Sequence, residues 1–409
     1  MRATAGCAPR SFRLNSLSAI GAILLFALLA GHLVKALRVP EVTGYIVAGV
    51  IVGPFGLGLV THENVESLGV FSEVALGLIL FSIGSVFDLS RFHQFGHRIV
   101  RVTAIESTLA AGFVTAGMLL VGQPWQVALL LGAISIETAA ASTLMVIREC
   151  DAAGPLTETL TGIIAVNNIL ALVAFSVVAT GIDLHQNAGA GWGALYRAVY
   201  PLAWQMIGSV ALGFLVGLLL SAWASRVVEH GEILILLAGC VLLCVGVSAL
   251  LGLSPLVSSL AVGATMVNLS GKSRRLFETL SRTDPPLYAI FFVIAGADLN
   301  VALLGSLGVL GVLYVIGRSV GKLLGAGVAA ARTDAPRDVR RLLGISMLSQ
   351  AGLAVGLILT TRQRFPELAP TITTVVLGAV TVFELVGPIA TRFALTRSGE
   401  VGKLPPASA

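Results

Sequence analysis

WQVALLLGAISIETAAASTLMVIREC (Trp125–Cys150) and TETLTGIIAVNNILALVAFSVVAT (Thr157–Thr180) are consecutive apolar stretches. Each is long enough to cross a bilayer, which takes about 20 residues. Each also carries polarity where lipid tolerates it least. The first sets Glu137 and Thr138 among small residues; the second sets Asn167 beside Asn168 near its midpoint. A carboxylate at the centre of a bilayer costs on the order of 3 kcal/mol even on insertion scales, so Glu137 reads as a functional residue.

The rest of the chain agrees with a membrane reading. It is 56% hydrophobic and 11% charged, with a mean hydropathy of +0.94, against roughly 25% charged residues in soluble domains. The expected fold class is an all-α polytopic membrane protein. Its net charge of +5 reports loop orientation in such a chain, and no nucleic-acid partner is expected. Cys7, Cys150, Cys240 and Cys244 have no spacing that suggests a disulfide framework or a metal site. No nucleophile, general-base or metal constellation is visible, so neither an enzyme nor a cofactor is expected. Arg2, Arg10 and Arg13 precede an apolar run reaching Leu37 with no small-x-small cleavage site, which reads as a retained first helix.

On that ruler thirteen spans are expected, centred near Leu25, Ala48, Leu78, Ala111, Glu137, Asn168, Gly213, Val241, Val262, Phe292, Ile316, Leu353 and Val382. With the N-terminus outside, 18 basic residues fall in inner loops and the inner tail: Lys35, Arg38, Arg91, Arg98, Arg101, Arg148, Arg226, Lys272, Arg274, Arg275, Arg282, Arg332, Arg337, Arg340, Arg341, Arg392, Arg397 and Lys403. Six stay outside, the three N-terminal arginines with Arg197, Arg362 and Arg364, while Arg318 and Lys322 fall within a span. The positive-inside rule therefore gives an outer N-terminus and a cytoplasmic C-terminus.

LILFSIGSVFDLS in the third span parallels YAIFFVIAGADLN in the tenth, and the second and ninth spans are both short and rich in small residues. Two six-helix halves follow, offset by seven helices and hence inverted. Residues 1–15 form a tail, 16–180 the first repeat, 181–230 an outer loop with a linking helix, 231–396 the second repeat, and 397–409 a short cytoplasmic tail. Inverted repeats mark secondary transporters, whose sites lie at the midplane where helices are broken. Ser135 to Ala140 and, in the partner span, Ser349-Gln350-Ala351-Gly352 have the composition of such breaks, although Ser and Thr can also bond back to the preceding turn of an intact helix. Glycines four apart (Gly49 and Gly53; Gly213 and Gly217; Gly317, Gly321 and Gly325; Gly352 and Gly356) read as close helix packing.

RVPEVTGYIVAGVIVGPFGLG (Arg38–Gly58), LGLILFSIGSVFDLS (Leu76–Ser90), FFVIAGADL (Phe291–Leu299), GRSVGKLLG (Gly317–Gly325) and FELVGPIATRFAL (Phe383–Leu395) occur in that order. With these segments the chain resembles the monovalent cation:proton antiporter superfamily, in the branch of NapA-type sodium/proton antiporters and Kef-type potassium efflux proteins. The resemblance implies two crossed discontinuous helices, an elevator mechanism, a homodimer in the bacterial inner membrane, and an acid that binds cation or proton in turn. It places Asn167 and Asn168 where the family carries Asn-Asp or Asp-Asp. No nucleotide-binding regulatory domain like that of Kef-type proteins is expected.

Coupling by competition needs one group that releases a proton when the cation arrives. Asparagine only coordinates, through its amide oxygen, so Glu137 is the expected proton carrier, with Thr138, Asn167 and Asn168 as oxygen ligands of a hard cation; interhelical hydrogen bonding is the other reading of the asparagines. Ser349 and Gln350 are expected to line the site from the crossed helix. Arg318 and Lys322 share a helix face and need partners, for which Glu106 and Glu384 are available. They are read either as charge balance for an empty site or as structural pairs. The expected function is exchange of Na+ or K+ for protons. The alternative, prompted by Asn168, is the same fold moving an anion or organic solute, or serving as a transport-inactive sensor.

Overall fold

A computed structural model describes residues 15–403 apart from 38, 85–86, 187–190, 225, 228, 272, 274–275, 278, 281–284, 300–304, 306–307 and 334, with backbone alone for 90–95, 191–199, 202 and 230. Arg2, Arg10, Arg13, Arg38, Lys272, Arg274, Arg275 and Arg282, on which the charge count drew, lie outside the described residues, as do the side chains of Arg91 and Arg197.

Every regular element among the described residues is helical: α1 (Ser16–Ala36), α2 (Glu41–Val52), α3 (His62–Ser67), α4 (Gly69–Gly84), α5 (Leu89–Leu120), α6 (Trp125–Ser135), α7 (Ala140–Glu149), α8 (Pro155–Gln186), α9 (Gly191–Ala224), α10 (His230–Leu250), α11 (Pro255–Leu269), α12 (Pro285–Asp298), α13 (Gly308–Ala331), α14 (Arg337–Ser346), α15 (Gly352–Arg364) and α16 (Ala369–Arg397). Eight segments are long and apolar enough to cross a membrane, counting α6 with α7 as one. Four shorter apolar helices, α2, α4, α11 and α12, accompany them. The short ones have sequence reasons for their ends. Gly53, ahead of Pro54, closes α2. Ser254 accepts from the Val257 N–H and Pro255 follows it at the start of α11, the usual chemistry of a helix N-terminus.

These helices form two packed bodies. One contains α1, α2, α4 and α9 to α12; the other contains α5 to α8 and α13 to α16, and the seam between them runs along α2 and α4 on one side and α7, α8 and α16 on the other. In the first body Gly49 lies against the α12 backbone at Val293 and Ala297, and Gly84 against the α11 backbone at Leu260 and Ala264. In the second, a Cβ at Gly321 would sit 2.5 Å from Ala110 Cα and one at Gly325 2.8 Å from Glu106 Cα. These glycines lay α13 flat on α5 and bring Lys322 beside Glu106. Gly213 and Gly217 likewise meet α11, whereas Gly352 and Gly356 meet nothing within 4 Å, so the packing expected of that last pair is absent. Gly352 instead opens a half-helix at a cavity.

The segment after α16 folds back on the turn between α7 and α8. The Glu400 carboxylate accepts from the Leu156 N–H (2.7 Å), the Thr157 N–H (2.8 Å) and Thr157 Oγ1 (2.7 Å). It therefore supplies from afar the acceptor that the first turn of α8 requires.

Candidate functional site at the crossing of two broken helices

Between α6 and α7 the helix is interrupted at residues 136–139, and between α14 and α15 at 347–351. Each interruption frees backbone groups that lipid cannot satisfy, so they must find partners inside the protein. The two breaks supply some of these to each other. The Ala139 N–H donates to Ser349 O at 3.0 Å, and Gln350 Nε2 donates to Ile134 O at 3.0 Å and to Tyr314 Oη at 2.9 Å.

The carbonyl ends of α6 and α14, negative by the helix dipole, converge on cations from α13. Arg318 donates to Ser135 O (3.2 Å), Glu137 O (2.6 Å), Leu348 O (2.7 Å) and Ser349 O (3.1 Å), and its guanidinium lies over the Phe383 ring at 4.4 Å. Lys322 Nζ donates to Ile136 O (2.6 Å) and Thr138 Oγ1 (2.9 Å), and pairs with Glu106 at 2.7 Å. One arginine thus ties both broken strands together, and one lysine ties the first break to α5.

The amide ends face the other way. Ala139, Ala140 and Ala141 from the start of α7, and Ala351, Gly352 and Leu353 from the start of α15, line a cavity of about 40 Å³ together with Glu137 and Asn168. That is enough for a few waters or one small ion. The opposite wall comes from the other body: Leu76 and Leu80 of α4, Ser254, Leu256, Val257 and Leu260 around the start of α11, and Phe291 of α12. The Glu137 carboxylate accepts from the Ala351 N–H at 3.3 Å. Asn168 spends Nδ2 on Thr138 O (3.3 Å) and Ile164 O (2.9 Å), which leaves Oδ1 as its available acceptor.

Of the four residues expected to hold the ion, the cavity contains Glu137 and Asn168. Asn167 faces α5 instead, where its Nδ2 donates to Glu106 Oε2 and Ser107 Oγ, both at 3.1 Å; successive residues on a helix point about 100° apart. The Thr138 hydroxyl is taken by Lys322. Ser349 and Gln350 belong to the crossing, while Ala351 to Leu353 carry the lining. Two pairings also differ from expectation. Glu106 pairs with Lys322, but among the described residues Arg318 meets carbonyls and no carboxylate. Glu384 is buried with Oε2 unpartnered, one turn before Gly387, where a Cβ would fall 2.5 Å from Ser349 Cα, so the absence of a side chain lets α16 lie against the second break. Tyr314 and Phe383, which orient Gln350 and Arg318, were missed by the sequence reading. Tyr314 stands four residues before Arg318, hence on its face, and that spacing was the available signal.

Comparison with known proteins agrees with this architecture. The chain is 21% identical over 281 residues to "Ammonium/H(+) antiporter subunit AmhT" of Alkalihalophilus pseudofirmus, covering 68% of this chain and 70% of that one. It is 31% identical over 134 residues to "Iron transporter MagA" of Paramagnetospirillum magneticum, a match spanning 33% of this chain and 30% of that protein's length. Two structures of the sodium proton antiporter MjNhaP1 from Methanocaldococcus jannaschii share the fold. One, at pH 8, has a TM-score of 0.67 at 16% identity and covers 93% of this chain and 95% of that one. The other, from an electron-microscopy map, has a TM-score of 0.73 at 17% identity and covers 96% and 99%. The transmembrane sodium/hydrogen exchanger family matches residues 21–396, nearly the whole chain, and this multi-pass membrane protein belongs to that family.

Proposed function

We propose that this protein exchanges a monovalent cation, Na+ or K+, for protons, with Glu137 as the shared carboxylate and Asn168 Oδ1 as a second cation ligand. The main support is that Glu137 and Asn168 share one cavity at the seam between two bodies. A carboxylate there holds a proton or a cation, and movement of one body along the other would carry it across as an elevator. The two amide ends lining the cavity favour the ionised form that a cation needs. We further read the fold as thirteen crossings in two inverted halves. The reciprocal packing of α2 on α12 and α4 on α11, each through glycine, supports that arrangement. The functional unit is taken as a homodimer with its N-terminus outside, working without a cofactor. An anion substrate has no support, because Arg318 and Lys322 are engaged with carbonyls and Glu106, and an organic solute exceeds the cavity.

The test is reconstitution in proteoliposomes containing a pH dye. Added Na+ or K+ should move internal pH, and Glu137→Gln should abolish the response while the variant remains folded. No response to Na+, K+ or Li+ between about pH 6 and 9, a range spanning ordinary proton-carrier behaviour, would remove the proposal.

A further inference from the structure

The last two residues of half-helix α7 grip the opposite body. Glu149 Oε2 accepts from the Glu41 N–H at 2.7 Å. Glu41 opens α2, and its N-cap, Pro40, provides no side-chain cap. An acid from the other body therefore fills the place of the missing cap, where the helix dipole favours negative charge. Arg392 of α16 holds Glu149 Oε1 at 2.9 Å. Lys35 pairs with Glu41, and Tyr45 Oη donates to Glu41 Oε2 at 2.9 Å, so the Glu41 carboxylate is occupied elsewhere. Next to this, Arg148 Nη1 donates to Tyr288 Oη at 2.9 Å and its guanidinium lies 5.6 Å from that ring. Glu149 and Arg148 thus hold α2 and α12, which are interlocked through Gly49 and Gly296.

This contact lies on the C-terminal side of the cavity, at the far end of α7 from the residues that line it. Asn268, near the end of α11, joins Phe87 O and the Leu89 N–H at the start of α5. Ile99 of α5 lies against Gly162 in the first half of α8. The end of α11 is therefore on the side where α7 ends and α8 begins, the side that also carries Glu400. Ser254, at the start of α11, is at the far end, and the cavity wall runs from it to Leu260 in the middle of that helix.

We propose that Glu149 is the closing contact of the seam on the C-terminal side: its carboxylate, docked on the first N–H of α2 and aimed by Arg392, must release before Glu137 can face that side. This rests on the transport reading above only in that the site is taken to face both sides in turn.

The experiment uses the full chain with its four cysteines changed to serine and a reporter, Leu260→Cys, in the cavity wall. In oriented proteoliposomes, a membrane-impermeant maleimide is added to one side at a time. The parent should label mainly from the side opposite the C-terminus. Glu149→Gln and Glu149→Ala should each shift the ratio of the two labelling rates about tenfold toward the C-terminal side, which corresponds to about 1.4 kcal/mol. The double variant Glu149→Arg with Arg392→Glu restores an ion pair but sets a cation on the α2 N-terminus, so it should stay shifted. Tyr288→Phe, which removes a single hydroxyl, should shift the ratio in the same direction by a smaller factor. An unchanged ratio in Glu149→Gln and Tyr288→Phe overturns the proposal, as does a swap that returns to the parent ratio, since Glu149 would then serve only its pair with Arg392. Shifted labelling without cation-dependent proton movement in the parent would leave this contact standing and remove the exchange reading.

Discussion

Lys322 Nζ lies 2.7 Å from Glu106 Oε1, with both side chains wholly withdrawn from solvent. Asn167 and Ser107 donate to the other oxygen of the same carboxylate. Removing one member of such a pair strands the other charge, a loss of roughly 3–5 kcal/mol. Glu106→Gln should therefore lower the thermal midpoint in detergent markedly. Glu106→Gln combined with Lys322→Met should recover part of the loss. Recovery stays incomplete because Lys322 also serves Ile136 O and Thr138 Oγ1. A single variant as stable as the parent would show that the pair contributes little.

Arg318 joins two breaks that are distant in sequence, and its planar fork is what reaches carbonyls on both. Arg318→Lys keeps the charge and loses that geometry. A destabilisation on the order of 3 kcal/mol is expected, from charged hydrogen bonds that one ammonium cannot remake. If Arg318→Lys matches the parent in thermal unfolding, charge alone suffices at the crossing.

Glu400 serves α8 from the far end of the chain. Replacing a capping acceptor costs about 1 kcal/mol, and Glu400→Gln should lower stability by about that amount. The same variant should speed hydrogen exchange at the Leu156 and Thr157 amides, while amides near Asn168 keep the parent rate. Equal exchange at Leu156 in parent and variant would show the cap to be dispensable.

How much of this was legible in the sequence follows from range. Helices were visible because apolar runs are local, and the breaks because Ser135 to Thr138 and Ser349 to Gly352 place polar and small residues where lipid forbids loose backbone. Glu137 stood out by its position in a span, and it lines the cavity. The division of labour between Asn167 and Asn168 was not readable, since adjacent residues in a helix take different faces and only the packed α5 decides which faces what. The partner of Arg318 was misjudged for a related reason. Four carbonyls held in place by a helix crossing present no sequence signature, whereas Glu384 presents one and, among the described residues, keeps Oε2 without a partner. The Glu149 contact depends on a backbone N–H 108 residues away, which sequence patterns do not show.

If Glu137 holds either the proton or the cation, the two compete, and linkage makes the effect reciprocal. The apparent KM for the cation should rise as pH falls, approaching about tenfold per pH unit where the acid is mostly protonated, and become flat where it is mostly ionised. Maximal velocity at saturating cation should vary less over the same range. Initial rates of dye response at several cation concentrations and pH values check this. A KM that is constant across the range is incompatible with a single shared acid.

With Asn168 amidic, the cavity has one acid among the described residues, so it carries the same net charge with a cation bound as with a proton bound. One-for-one exchange then moves no net charge, and an imposed membrane potential should leave the parent rate unchanged. Asn168→Asp adds a second acid beside Glu137. A cycle that carries two protons against one cation moves a charge, worth about 2.3 kcal/mol per 100 mV. Exchange by Asn168→Asp should therefore respond to a potassium diffusion potential, measured with Na+ as the exchanged cation, while the parent does not. Voltage dependence in the parent would mean that a further group titrates during the cycle. Glu384, buried with an unpartnered oxygen, is then the residue to neutralise next, and Glu384→Gln should return the parent to voltage independence.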